Sequence, residues 1–200
     1  NWNIRMVTQS RGGKTRHSTK PLIINRRGER VPEGAAGTED GAAVALVPMY
    51  ERVGLWLHPE DLAVEQGELA HVKITAINAS WPTSIAVRAD WSNKVSTWTQ
   101  AALRDGATRA GSHFGAEVAA EETSDLAMTL VAWAQTNQLQ AIVAYRPFIG
   151  PWLAEALALE TALATAGIRV IWRRRAWDTE HFPHATRGYF PFWEKIKSAQ

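Results

Sequence analysis

The chain has 200 residues, 46% of them hydrophobic, and a formal net charge of +2. That is enough apolar material for one domain with a sizeable core, or a domain plus an arm, and too much for a disordered chain. It contains no cysteine, which excludes disulfide scaffolds, thiolate metal sites and cysteine nucleophiles.

No apolar run approaches the roughly 20 residues of a transmembrane helix, and no charged-then-apolar signal opens the chain, so a cytoplasmic protein without a membrane span is expected. The first residue is Asn1 rather than Met, which points to a fragment or a processed chain.

Residues 1–42 form a compositional region of their own. Arg5, Arg11, Lys14, Arg16, Lys20, Arg26, Arg27 and Arg30 face only Glu29 before the turn at Pro32, Glu33 and Gly34. Such an arm suits a phosphate backbone or an acidic partner, or is solvated charge, and Arg26 and Arg27 are its nucleic-acid or partner candidates. Gly34 to Ala43 reads as a linker.

From residue 43 onward, β-branched runs alternate with helical ones. This predicts an α/β domain with a doubly wound, mainly parallel, Rossmann-like sheet behind the mostly irregular basic arm. Val53 to Leu57 reads as the first strand, with His58 to Asp61 as the turn at its carboxyl end. His71–Asn78 and Ser84–Arg88 are strand candidates. Ser92 to about Ala110 predicts a serine-capped helix burying Val95, Trp98, Ala102 and Leu103, and Ser124 to Ala134 a second one capped by Ser124. Gln140–Tyr145 reads as a buried strand. Pro151 opens a helix from Trp152 to Ala166 that Gly167 ends, and Ile168–Trp172 is the last strand.

Ten tryptophans are the compositional anomaly. Trp56, Trp133 and Trp172 lie in apolar runs and are expected in the core with their N–H groups bonded. Trp2, Trp81, Trp91, Trp152, Trp177 and Trp193 sit beside prolines, charges or turns and are candidates for a ligand or partner face. The tail Phe182–Trp193, dense in Pro, Gly and aromatic rings, reads as a docking surface.

Conventional catalytic signatures are mostly missing. Gly12, Gly13, Lys14 and Thr15 lack the glycine and spacing of a phosphate-binding loop. His181 and His184 flank Pro183, which argues against one helix face presenting both, so no metal is expected. Arg173, Arg174 and Arg175 leave the last strand at the end where open α/β sheets bind ligands, with His58, Glu60 and Asp61 at the same end of the first strand. The cleft between these loops is the natural small-molecule site.

With Val53–Leu62, Ala141–Tyr145, Gly150, Pro151 and Trp152, Ala166–Ile168 and Tyr189–Trp193 in this order, the chain resembles the photolyase and cryptochrome flavoproteins. The similarity is nearest to a bacterial subfamily in which the flavin domain precedes the α/β domain. Trp2, Gln9, Arg11, Gly13–Thr15 and Pro32–Gly34 then look like the end of the flavin domain. The resemblance implies FAD, bound mainly by a helical domain upstream of Asn1, and an antenna-type α/β domain able to hold a second chromophore. It makes Trp2 the counterpart of an electron-transfer tryptophan, the catalytic candidate, and puts Arg11 and Lys14 with His58, Glu60 and Asp61 among the cofactor-side candidates. A second family tryptophan, near the DNA lesion, is Ile4 here, which puts lesion contact by that means in doubt.

The function implied is that of a C-terminal part or split subunit supporting light-dependent DNA repair or blue-light sensing, the chain alone not being catalytic. The partners would be the flavin domain or other subunits, and DNA, with Arg26, Arg27, Arg173, Arg174, Arg175 and Trp193 as contacts. The alternatives are a non-catalytic accessory subunit, since fold does not dictate function, and a stand-alone nucleotide-binding protein.

Overall fold

The computed structural model describes residues 50–197 except 89, 149 and 187. Glu39–Phe182 forms one compact unit, and the tail from Pro183 belongs to a second.

The first unit is built on a five-stranded sheet in which every pairing is parallel. Its strands are β1 (Val53–Trp56), β2 (Ala76–Asn78), β4 (Glu117–Ala119), β6 (Ala141–Tyr145) and β7 (Arg169–Arg173), in the order β4-β2-β1-β6-β7. Successive strands are added on one side of β1 as far as β4 and then on the other from β6, so the topological switch point lies between β1 and β6, as in a doubly wound fold. Two short strands, β3 (Trp81–Pro82) and β5 (Glu122–Thr123), pair separately.

β1 and β6 are buried along their whole length, which explains why their sequences are continuous apolar runs rather than alternating ones. Leu55, Ile77 and Ile142 are fully enclosed, each worth about 2 kcal/mol of burial. Gly54 is dictated by packing: a Cβ there would meet Leu139 and come within 2.6 Å of the Trp133 ring.

The helices of this unit are α1 (Thr83–Arg88), α2 (Asn93–Phe114), α3 (Leu126–Thr136), α4 (Pro151–Thr165) and α5 (Ala176–His181), with 3-10 turns at Val64–Gln66 and Glu68–His71. Ser92 caps α2, its Oγ accepting from the Val95 N–H. Pro151 opens α4, and Gly167, at φ +75°, follows its end.

Four expectations are corrected. Ser84–Arg88 is helical, within α1: Ile85 and Val87 mimic a period of two, but a run this short cannot separate strand from helix, and Pro82 just before it removes a ladder donor. Only Ala76–Asn78 of the candidate His71–Asn78 is strand, because His71 closes a 3-10 turn. The cap of α3 is Asp125, which accepts from the Met128 N–H at 3.0 Å, rather than Ser124. And α2 turns Thr99, Leu103, Gly106, Ala107 and Ala110 inward, leaving Val95 and Trp98 exposed, because small residues let the helix approach the Leu62 backbone.

Candidate functional site

β1, β6 and β7 release three loops at one end of the sheet, and the crevice between them is lined by His58, Glu60, Asp61, Tyr145, Arg146, Phe148, Arg173, Arg174, Arg175 and Asp178. The structure thus brings together six residues expected there from sequence: His58, Glu60 and Asp61 after β1, and Arg173, Arg174 and Arg175 around the end of β7. They are spoken for mainly by one another and by the backbone.

His58 sits at the switch point between β1 and β6, 2% exposed. Its Nε2 lies 2.7 Å from the Tyr145 carbonyl oxygen, and its Nδ1 accepts from the Glu60 N–H at 3.3 Å. One nitrogen must donate and the other accept, so the ring is the neutral Nε2–H tautomer. Burial drives its pKa down to about 4, against the opposing pull of the Tyr145 hydrogen bond and the Asp61 charge. Its ring centroid is 5.1 Å from that of Trp56 and 6.1 Å from that of Trp152. His58 is therefore an uncharged plug bonded across the switch point.

Beside it lies a latch. Arg175 grips Asp61 in a fork, Nε to Oδ2 at 2.8 Å and NH2 to Oδ1 at 2.6 Å, while NH2 also donates to the Ala63 carbonyl at 2.9 Å. Its guanidinium carbon stands 4.5 Å from the Tyr145 ring centre. The Tyr145 hydroxyl donates to Glu68 Oε2 at 2.9 Å, and Glu68 Oε1 accepts from the Ala176 N–H, at the start of α5, at 2.8 Å. Burial would raise the Glu68 carboxyl, but the Ala176 and Tyr145 bonds and the Arg175 charge outweigh it and hold it below the usual range. Burial, with the Glu68 bond, pushes the Tyr145 phenol up to about 12. Gly67 makes the latch possible, since a Cβ there would collide with the Tyr145 hydroxyl and lie 2.6 Å from Arg175 NH1.

The remaining groups differ in how well they are matched. Glu60 Oε2 accepts from the Phe148 N–H at 3.2 Å, and burial pushes its carboxyl up. Arg174 stands 5.7 Å and 5.4 Å from the ring centres of Phe148 and Phe182. Arg173 NH1 and Arg174 Nε are buried without a hydrogen-bond partner. The free volume of the crevice is about 10 Å³, room for one water-sized occupant. A ring-sized cofactor needs a pocket of roughly 300 Å³ or more, so in this arrangement the crevice fits neither a flavin nor an aromatic antenna chromophore.

A second concavity lies at the edge of the sheet, where β2 and β4 end beside α3. It has a volume of about 630 Å³, open to solvent, with Asn78, Glu121, Met128, Thr129 and Trp133 in its walls. Asn78 is 1% exposed; its Oδ1 accepts from the Ser80 N–H, and its amide NH2 has no partner.

Among the tryptophans, Trp81 and Trp152 are buried and Trp91 packs on the core, contrary to a place on a ligand face. Trp91, Trp81, Trp152, Trp56 and Trp172 form a run with ring centroids 5.9–6.4 Å apart. The indole N–H groups of Trp56 and Trp172, expected to be bonded, have no acceptor, the rings meeting edge to face instead. Trp177 is exposed as expected and stacks on His181 at 4.4 Å. In the tail, α6 (Tyr189–Lys197) exposes Tyr189, Phe190 and Trp193, with Tyr189 and Trp193 stacked one turn apart at 6.3 Å.

Trp2, Arg11, Lys14, Arg26 and Arg27 lie outside the described residues, as does Ile4. Among the described residues no three His, Asp or Glu side chains are grouped to hold a metal, and no helix is long and apolar enough to cross a membrane. Sequence reasoning missed Tyr145, Glu68 and Gly67. The available signal was a tyrosine ending a buried strand, whose hydroxyl needs a partner. No protein-family model matches the chain, and no curated protein matches it.

Proposed function

We propose that this α/β unit is a non-catalytic scaffold domain of a photolyase- or cryptochrome-like flavoprotein, with FAD and the light-driven chemistry carried by a helical flavin domain. The sequence resemblance motivates the family, and one structural observation supports the scaffold role. The switch-point crevice, where a doubly wound sheet would bind a nucleotide, is filled by His58 bonded to the Tyr145 carbonyl and by the Arg175–Asp61 fork. Light-dependent repair of pyrimidine dimers would belong to the assembled protein, with the damaged base flipped out of the duplex into the flavin domain. In this reading the α/β unit supplies shape and contact surface, and Arg11, Lys14 and Trp2 act at the junction with the flavin domain.

The accessory-subunit reading is favoured by the rings of Tyr189, Phe190 and Trp193, 64%, 77% and 43% exposed, aromatic types enriched at protein interfaces. Purification of the protein from its native source, with absorption spectroscopy and mass analysis, separates the two. One FAD per complex, a helical flavin-binding chain and light-dependent dimer repair are expected. A colourless complex of other subunits would replace this proposal with the accessory role. A second chromophore in the strand-end crevice would overturn the scaffold assignment.

A further inference from the structure

We propose that Arg173 and Arg174 bind a small inorganic anion of chloride size in the strand-end crevice. Arg173 is 5% exposed, at the last position of β7, and its NH1 is buried without a hydrogen-bond partner. None of the ion pairs among the described residues includes it. A guanidinium does not give up its proton in a protein, so it cannot escape burial by becoming neutral as a lysine or histidine can. A buried charge without a counter-charge is strongly unfavourable, and such charges are paired or carry a bound ion. Arg174, next in the chain, brings a second buried donor without a partner, its Nε, to the same crevice.

Two of the three carboxylates that line the crevice are engaged elsewhere. Asp61 is held by the Arg175 fork and Glu60 by the Phe148 N–H. The charges acting on Asp178 come from Arg175, Asp61, Arg174 and Glu68. Arg173 is thus left facing the crevice with Arg146 as a further cationic wall. The free volume of about 10 Å³ admits a monatomic anion at most and is too small for a tetrahedral phosphate. An anion there would tie the end of β7 to the loops after β1 and β6 without entering the latch.

Two measurements on the chain test this. Bromide-soaked crystals, examined by anomalous diffraction at the bromine edge, should show a peak within roughly 3.5 Å of Arg173 NH1 and Arg174 Nε. In thermal unfolding at fixed ionic strength, replacing gluconate by chloride should raise Tm by roughly 4 °C and saturate, whereas phosphate should do no more than gluconate. Arg173→Met should abolish the chloride response. Absence of the bromide peak overturns the proposal whether or not the variant folds. So does a chloride response that survives in Arg173→Met, or stabilisation by phosphate alone.

Discussion

The crevice at β1, β6 and β7 and the groove at β2, β4 and α3 both lie at the carboxyl end of the same sheet, yet they are opposites. The first is central, polar and closed down to about 10 Å³, with its charges forked together; the second is peripheral and open, at about 630 Å³. The topological rule for doubly wound sheets names the first as the ligand site. The side chains decide otherwise for anything larger than an ion, because most of the polar groups that would greet a ligand have been turned on a neighbour. Strand order locates a site, and the satisfaction of its side chains determines what can enter.

Breaking the closed region should cost most. Asp61→Ala leaves the Arg175 guanidinium half-buried beside Tyr145 with its fork empty, and is expected to lower unfolding free energy by about 3 kcal/mol in urea titrations. Arg175→Ala should cost a similar amount, and the double variant little more than either, since the two side chains act as one unit. Additive losses would show that the fork is not what holds the crevice shut.

Acid should attack the same region through His58. Its folded pKa of about 4 lies below the ordinary 6.5, so between these values the unfolded chain holds a proton that the folded one does not. The stability it contributes is therefore complete above pH 6.5 and lost as pH falls towards 4, by about 3 kcal/mol over the window. His58→Gln keeps an N–H for the Tyr145 carbonyl but cannot titrate, so its stability profile should be flatter. Glu68, held below the usual range, acts in the same direction, and Glu60 and Asp178, pushed up, oppose it. The difference between wild type and His58→Gln removes all three, and parallel profiles would exclude His58 as the acid-sensitive group.

How far the sequence anticipated this contrast depends on how local each signal is. β1, β6 and β7 announce themselves as apolar runs bounded by Pro, Gly or charge, and their ends carry His58, Glu60, Asp61 and the three arginines to one place. β4 and β5, three and two residues long, have no period to detect. The latch partners were hidden for a different reason. Glu68 sits in a 3-10 turn of the β1–β2 connection, and its bond to Tyr145 spans 77 positions, a pairing that exists only once the sheet has formed. The groove was invisible because its walls, the ends of β2 and β4 and one face of α3, are defined by what they fail to cover.

The groove should yield less when altered. Asn78→Ala removes the acceptor of the Ser80 N–H at 2.9 Å, which by itself costs about 1.5 kcal/mol. It also removes a buried amide NH2 that has no partner, a liability in the folded state that offsets part of the loss. The net effect expected is therefore about 1 kcal/mol, a third of that at Asp61. A loss as large as that at Asp61 would mean that the amide is bonded in solution and the edge of the sheet is as tightly matched as its centre.

The smallest effect should come from the outer wall of the groove. Met128 lies in the first turn of α3, 61% exposed, and meets solvent rather than the core formed by Leu126, Leu130 and Ala134 of the same helix. Met128→Ser should change unfolding free energy by no more than about 0.5 kcal/mol. It should nevertheless weaken the binding of an apolar dye such as anilinonaphthalene sulfonate, because it removes one side of the apolar surface shared with Trp133. A stability loss above about 1 kcal/mol, the usual range for a packed position, would show that Met128 is covered in solution. The open groove would then be a second closed region, and the contrast with the crevice would fail.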